Sequence, residues 1–220
     1  MIIDLDMTDR TVVVIGGGAQ AERRVNALLQ EGCRRIVVLS ASASDAIRKW
    51  SADGAVTLEE RDVADSSFLD LHGPSVVVAA TDDPKVNGMA VSAARSRGIL
   101  GYRSDDSALS DFSHPSVMRI EGGITVAVST GGRSPAVSKQ ICRKAESVLR
   151  GVITPHEVAH MRIQDAVRRA AKTAIKTQAE RRRLLEAVMA DRTVDRLIRD
   201  GRLGEAEERA MSMLRGDKKT

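Results

Sequence analysis

The chain has 220 residues, 42% of them apolar and 29% charged, a globular balance that excludes wholesale disorder and leaves room for one large domain or two small ones. Aromatic residues are only 2% (Phe68, Phe112, Tyr102 and Trp50), too few for a platform that stacks single-stranded nucleic acid, and two cysteines, Cys33 and Cys142, exclude a disulfide scaffold and a zinc ribbon. The net charge of +4 is uneven, with 11 Lys and Arg against 14 Asp and Glu over residues 1–100 and 23 against 16 over residues 101–220, so the second half invites an anionic partner.

In chain order, the acidic start Met1–Asp9 lacks the basic opening of a signal peptide, and no apolar run approaches the ~20 residues that span a bilayer. A cytoplasmic protein without membrane partners is expected. Thr11–Ile15 is a β-branched apolar run that reads as a buried parallel strand. It meets Gly16-Gly17-Gly18, and Ala21–Glu31 then reads as a helix closed by Gly32. Arg35–Leu39 is a second strand, Asp45–Ala52 a helix capped from Ser40–Ser44, and Ala55–Glu59 a third strand. Ser75–Ala80 is a fourth strand, Lys85–Arg97 a helix ended by Gly98, and Ile99–Tyr102 a fifth strand. Strands separated by helical segments imply βαβ crossovers, so the expected class is α/β with a Rossmann-like parallel sheet.

The pattern changes after Tyr102. Asp105–Ser113 is polar and loop-like, and Ser116–Ile120 and Ile124–Ser129 form a hairpin around Glu121-Gly122-Gly123. Thr130-Gly131-Gly132-Arg133-Ser134 is a second glycine-rich loop, with Ser134 placed to cap a helix that starts at Pro135 and runs to about Leu149. From Val152 to Arg215 the character is helical, with Gly201 and Gly204 as interruptions, and the tail Gly216–Thr220 is expected to fray.

Three stretches carry the chemistry. Gly16-Gly17-Gly18-Ala19-Gln20-Ala21 matches G-x-G-x-x-A between a strand and a helix. Gly16 permits the tight turn, Gly18 lets a pyrophosphate approach the backbone, Ala21 allows close helix–strand packing, and the N-terminus of the helix offers free N–H groups. The carboxylate that usually closes the second strand and binds the ribose is missing. Ser40 and Ala41 stand there, so NAD is preferred, with NADP left open by Arg34 and Arg35 on the strand's solvated start. Thr81, after the fourth strand, is the expected ligand contact, whereas Asp82 and Asp83 are expected to cap the next helix. Ser104-Asp105-Asp106 follows the fifth strand on the same edge of the sheet, and a carboxylate there, Asp105 or Asp106, is placed to take a proton as hydride leaves the substrate. His156 and His160 stand i,i+4 with no third ligand nearby in sequence, so they read as surface histidines rather than a metal site. The Arg-rich stretch Arg162–Arg199 reads as a solvated helical face, without a helix-turn-helix signal or a nucleic-acid partner.

These residues in this order resemble the precorrin-2 dehydrogenase/sirohydrochlorin ferrochelatase family, the N-terminal module of siroheme synthase. The resemblance rests on residues 14–24, on Ala79-Ala80-Thr81-Asp82-Asp83 with Asn87, on Asp105-Asp106 with Phe112 and Pro115, and on residues 127–132 with Ser134-Pro135-Ala136. It extends through Glu180-Arg181-Arg182-Arg183 and covers roughly residues 1–190. It implies a Rossmann domain over residues 1–113, a dimerisation region over 114–150 and a helical domain over 151–220, assembled as a homodimer. By position, Asp105 falls on the family's essential aspartate and Gly16, Gly18, Ala19, Gln20, Ser40 and Ala41 on its dinucleotide contacts. Thr130 falls where some members carry a serine lining the tetrapyrrole site, and Gly131, Arg133 and Ser134 continue that loop. Tyr102, Arg103 and Ser104 depart from the family pattern just before the aspartate, as do Ser113 and His114 before Pro115.

The implied chemistry suits the composition. The tetrapyrrole is a polycarboxylate and Arg119, Arg133, Lys139 and Arg143 are basic residues around the second loop. An Asp with a reference pKa of ~3.9 is ionised and ready to accept a proton. Ferrous iron would be the co-substrate of a chelatase step, held mainly by the macrocycle, which accounts for a metal enzyme without a His/Cys cluster. A different class, a non-catalytic NAD(H) sensor whose helical tail binds a regulatory partner, predicts cofactor binding without turnover.

Overall fold

The computed structural model describes residues 2–216 and divides them into two compact units, ending and beginning at His114 and Pro115. In the first unit, β1 (Thr11–Ile15), β2 (Arg35–Leu39), β3 (Thr57–Glu59), β4 (Val76–Ala79) and β5 (Leu100–Arg103) form one sheet in the order β3-β2-β1-β4-β5. All the pairings are parallel. The connecting helices are α1 (Ala19–Gln30), α2 (Asp45–Ala52), α3 (Ser67–His72) and α4 (Pro84–Ser96).

The strands are apolar almost without interruption because both sheet faces are covered. Alternate residues divide between the faces. Val12, Val14, Ile36, Val38 and Val78 pack with Ala21 and Val25 of α1 and Ile47 of α2. Val13, Ile15, Leu39, Val77 and Ala79 pack with Phe68 of α3 and Ala90, Val91 and Ala94 of α4. The chain steps outward from β1 to β3 and then returns to β4 on the other side of β1. The carboxyl ends of β1 and β4 therefore flank a topological switch point, where open α/β sheets bind ligands.

Several boundaries differ from the sequence reading. Ala55 and Val56 do not start β3, because their N–H groups bond to the Trp50 carbonyl and close the end of α2. The fifth strand runs one residue further, to Arg103. α3 is an additional element, six residues long, that seats Phe68 and Leu69 in the core.

In the second unit, β6 (Ser116–Ile120) and β7 (Ile124–Val128) form the expected antiparallel hairpin, and α5 (Pro135–Val152) packs on it through Cys142. Ser134 caps α5 by accepting from the Val137 N–H, and the helix runs on to Val152, past the expected end near Leu149. α6 (Pro155–Ala174), α7 (Gln178–Ala190), α8 (Arg192–Arg199) and α9 (Leu203–Leu214) enclose a core of Ile163, Val167, Val188, Val194, Leu197 and Ala206. Sequence sets their ends: Thr154 and Glu157 make a reciprocal capping box at α6, and Asp191 accepts from Thr193 and Val194 at α8. Gly201 follows α8, whereas Gly204 lies inside the first turn of α9 rather than interrupting it. No helix among the described residues is long and apolar enough to cross a membrane.

Candidate active site

The switch point holds a cavity of about 570 Å³. Gly16, Gly18, Ala19, Gln20, Ser40, Ala41 and Thr81 all line it, so the structure brings together every dinucleotide contact expected from sequence. The loop after β1 is built on close backbone approach. Gly16 has φ +110°, and a Cβ there would stand 2.5 Å from the Ala80 carbonyl oxygen. Only glycine fits, and the tight contact brings the β1 and β4 loops together. Gly18 is different, since a Cβ on it would meet nothing within 4 Å. It is the N-cap of α1 and supplies no side chain, so the first-turn N–H groups, which lack partners within the helix, are left for an anion. An uncapped helix start behind an open glycine is a cradle for a pyrophosphate, and these residues fit a dinucleotide.

The ribose end is less provided for. The Ser40 hydroxyl donates to the Ser42 carbonyl at 2.6 Å, so it can offer a ribose only its oxygen as an acceptor. Thr81 lines the cavity, but its hydroxyl is engaged within its own loop. It lies 2.8 Å from Asn87 Oδ1 and accepts from the Asp83 N–H at 3.2 Å. Asp83 caps α4 as expected by accepting from Lys85 N at 2.8 Å. Asp82 makes no such cap and lies exposed on the cavity wall, which corrects the expectation for that carboxylate.

Asp105 is not among the residues lining the cavity; it is tied to the cavity by Asn87. The Asn87 side chain is fully buried on α4. Its Oδ1 accepts from the Thr81 N–H at 3.1 Å, and its Nδ2 donates to the Thr81 carbonyl and to Asp105 Oδ1, both at 3.0 Å. One amide thus fixes the cofactor loop and the acid together. Its role as a bridge was missed from sequence. The available signal is a polar residue in the buried stripe Asn87, Ala90, Val91, Ala94, with i, i+3, i+4, i+7 spacing.

Arg103 is the second partner of Asp105. Its Nη2 donates to Oδ2 at 2.6 Å and its Nε to Oδ1 at 3.2 Å, a bidentate grip from a guanidinium only 12% exposed. The Arg103 hydrogen bond, with a lesser share from Asn87, holds the Asp105 carboxyl below its ordinary value, and Asp105 in turn raises Arg103. The acid is therefore a firm anion but, while gripped, a weak base.

The second glycine-rich loop lies in the other unit and is self-contained. Thr130 Oγ1 accepts from Ser134 N at 3.1 Å, Gly131 N donates to Ser129 Oγ at 3.1 Å, and Arg133 Nε donates to the Thr130 carbonyl. Gly131, Arg133, Lys139 and Arg143 are exposed, so a cationic surface follows the start of α5.

Cys33 and Cys142 are buried thiols, as expected. The His114 ring meets Tyr102 and Phe112 edge-on, and its desolvation together with the Arg24 charge lowers its pKa to about 4. His160 is not a surface residue but 6% exposed, because α6 packs on α8 and brings Asp195 beside both α6 histidines.

Residues 3–116 match the protein family described as "Putative NAD(P)-binding". The precorrin-2 dehydrogenase of Methanosarcina barkeri (strain Fusaro / DSM 804) is 32% identical over 194 residues, covering 86% of this chain and 83% of that protein. The siroheme synthase of Xylella fastidiosa (strain M12) is 32% identical over 92% of this chain, and that of Citrobacter koseri is 34% identical over 94%. The chain spans only 40% and 42% of the length of those two relatives. Among solved structures, SirC, a precorrin-2 dehydrogenase, aligns with a TM-score of 0.64 over 95% of this chain and 99% of its own, at 23% identity, which supports the shared fold.

Proposed function

The chain belongs to the precorrin-2 dehydrogenase and siroheme synthase family, and on that premise we propose that it oxidises precorrin-2 to sirohydrochlorin, with NAD as acceptor and Asp105 as base. The observation that carries this reading is the Thr81–Asn87–Asp105 chain, which couples the dinucleotide cradle to the one carboxylate expected to act as base. When bound, NAD takes the hydride. The protein supplies the rest. The amides at Gly18–Gln20 bind the pyrophosphate, the Gly16–Ala80 contact sets the depth of the cradle, and Asp105 receives the proton.

Arg103 sets the condition for that transfer. A carboxylate gripped by a guanidinium holds a proton poorly. A polycarboxylate substrate offers Arg103 an alternative bidentate partner, and release of Asp105 then restores its ordinary basicity. Substrate binding and activation of the base are thereby the same event. Thr130, Gly131, Arg133 and Ser134, with Lys139 and Arg143 beyond them, are proposed to bind substrate carboxylates.

A homodimer is proposed from α5, whose Val137, Ile141, Val148 and Val152 are exposed at helical spacing, with Val117 exposed on the hairpin. The proposed location is the cytoplasm. The experiment is anaerobic incubation with precorrin-2 and NAD, or NADP in parallel, followed by addition of ferrous iron. NADH and sirohydrochlorin should appear in equal amounts, and loss of the free sirohydrochlorin spectrum on adding iron would extend the function to chelation. Tight NAD binding without turnover would favour a sensor and overturn the enzymatic reading.

A further inference from the structure

His156 and His160 occupy one face of α6, four residues apart, and Asp195 reaches them from α8. His156 Nε2 lies 2.9 Å from Asp195 Oδ1, and His160 Nε2 lies 3.7 Å from the same oxygen. All three donor atoms lie within 4.8 Å of one another. His160 is 6% exposed, its Nδ1 has no partner, and 3.7 Å is too long for a hydrogen bond. A buried imidazole with neither nitrogen hydrogen-bonded is costly, and an ion between Nε2 and Asp195 Oδ1 would engage the nitrogen that faces the carboxylate.

We propose that these three side chains are a binding site for a borderline first-row divalent cation, of the Zn²⁺ and Co²⁺ class. Two imidazole nitrogens and one carboxylate oxygen suit such an ion, with bonds of ~2.0–2.2 Å that bring donors closer than the present spread by about an ångström. Two neighbouring contacts prepare the donors. Glu157 Oε2 is fixed in the capping box of α6 while its Oε1 reaches His156 Nδ1 at 3.3 Å, which directs Nε2 of that ring toward Asp195. Arg199 Nη2 holds Asp195 Oδ2 at 3.0 Å and leaves Oδ1 as the single ligand atom; its charge weakens the site but fixes the carboxylate. A cavity of about 670 Å³ lined by His156, Thr154, Ile198 and Leu203 reaches the site at the His156 ring. The site stands on these contacts alone and does not depend on the dehydrogenase reading.

The test is a Co²⁺ titration of the untagged, metal-stripped full chain, read by visible absorption and calorimetry without substrate or NAD. One saturable Co²⁺ per chain is expected, with d–d bands of nitrogen and oxygen ligation that Zn²⁺ abolishes by displacement. His156→Gln, His160→Gln and Asp195→Asn should each lose at least about 100-fold in affinity, and Glu157→Gln about 10-fold, since the latter removes only a supporting contact. Should a ligand variant fail to fold, the Glu157→Gln effect and the wild-type spectrum still decide. No saturable uptake at millimolar Co²⁺, or unchanged affinity in the His156→Gln/His160→Gln double variant, would overturn the proposal.

Discussion

Replacing Asn87 by Asp keeps the shape of the side chain and inverts the half that faces the acid. Nδ2 donates to Asp105 Oδ1 and to the Thr81 carbonyl, both at 3.0 Å. In Asn87→Asp the same position is an oxygen. Two carboxylate charges about 3 Å apart repel by about 5 kcal/mol at an effective dielectric constant of ~20. Movement of Arg103 and uptake of a shared proton relieve part of that, while the stranded Thr81 carbonyl adds ~1–3 kcal/mol. The net loss should be about 4 kcal/mol at pH 8, a large share of the ~5–15 kcal/mol typical of a domain. In the Asn87→Asp fold the two neighbouring carboxyls should share a proton that each would release at lower pH in the unfolded chain, so the unfolded chain releases it first. Stability therefore falls as pH rises through that interval, and the loss should shrink to about 2 kcal/mol near pH 5. Asn87→Ala removes the same bonds without adding charge and should cost about 2 kcal/mol at either pH. Urea unfolding at both pH values measures this. An Asn87→Asp protein as stable as Asn87→Ala at pH 8, with no pH dependence, would refute the claim that Asn87 faces Asp105.

The two outer glycines of the first loop should behave in opposite ways. Gly16→Ala places a Cβ 2.5 Å from the Ala80 carbonyl at a positive φ and should destabilise the first unit by ~2–4 kcal/mol, seen in thermal unfolding. Gly18→Ala meets nothing and should leave the unfolding midpoint nearly unchanged while weakening NAD binding at least tenfold by fluorescence titration, because its methyl projects where the pyrophosphate would lie. His114, with its pKa lowered to about 4, is held neutral in the fold. Stability should drop as pH falls from about 6.5 through 4, on the order of 1 kcal/mol for this partly solvated residue, and His114→Phe should remove that slope. If α5 forms the proposed dimer interface, Val148→Asp, on its exposed apolar line, should sediment as a monomer where the unsubstituted chain sediments as a dimer, without loss of helicity.

The first unit was legible because its signals are local. An apolar β-branched run, three glycines and an amphipathic helix are read within some twenty residues, and Ser134 before Pro135 announces α5 in the same way. What escaped depends on contacts between distant residues. α3 is six residues long, too short for helical periodicity to declare itself around Phe68 and Leu69. Arg103 was visible only as a departure before Asp105; nothing local says that the strand extends one residue further and swings its guanidinium onto the acid. His156 and His160 are a visible pair in the sequence, but no third ligand stands near them along the chain. Asp195 is supplied from 35 residues beyond His160 by the packing of α6 on α8, which no window along the chain contains. The start of β3 shows the same limit, where backbone bonds to Trp50 override the β propensity of Val56.

The most direct measurement compares wild type with Asp105→Asn for NAD affinity and for the rate of NADH formation from precorrin-2 in single turnover under anaerobic conditions. The isosteric amide keeps the dinucleotide cradle and removes the base. NAD affinity should stay within about twofold, while the rate falls by the ~100- to 10,000-fold typical of losing a general base. An Asp105→Asn protein that forms NADH at the wild-type rate would contradict the assignment of the proton to this carboxylate.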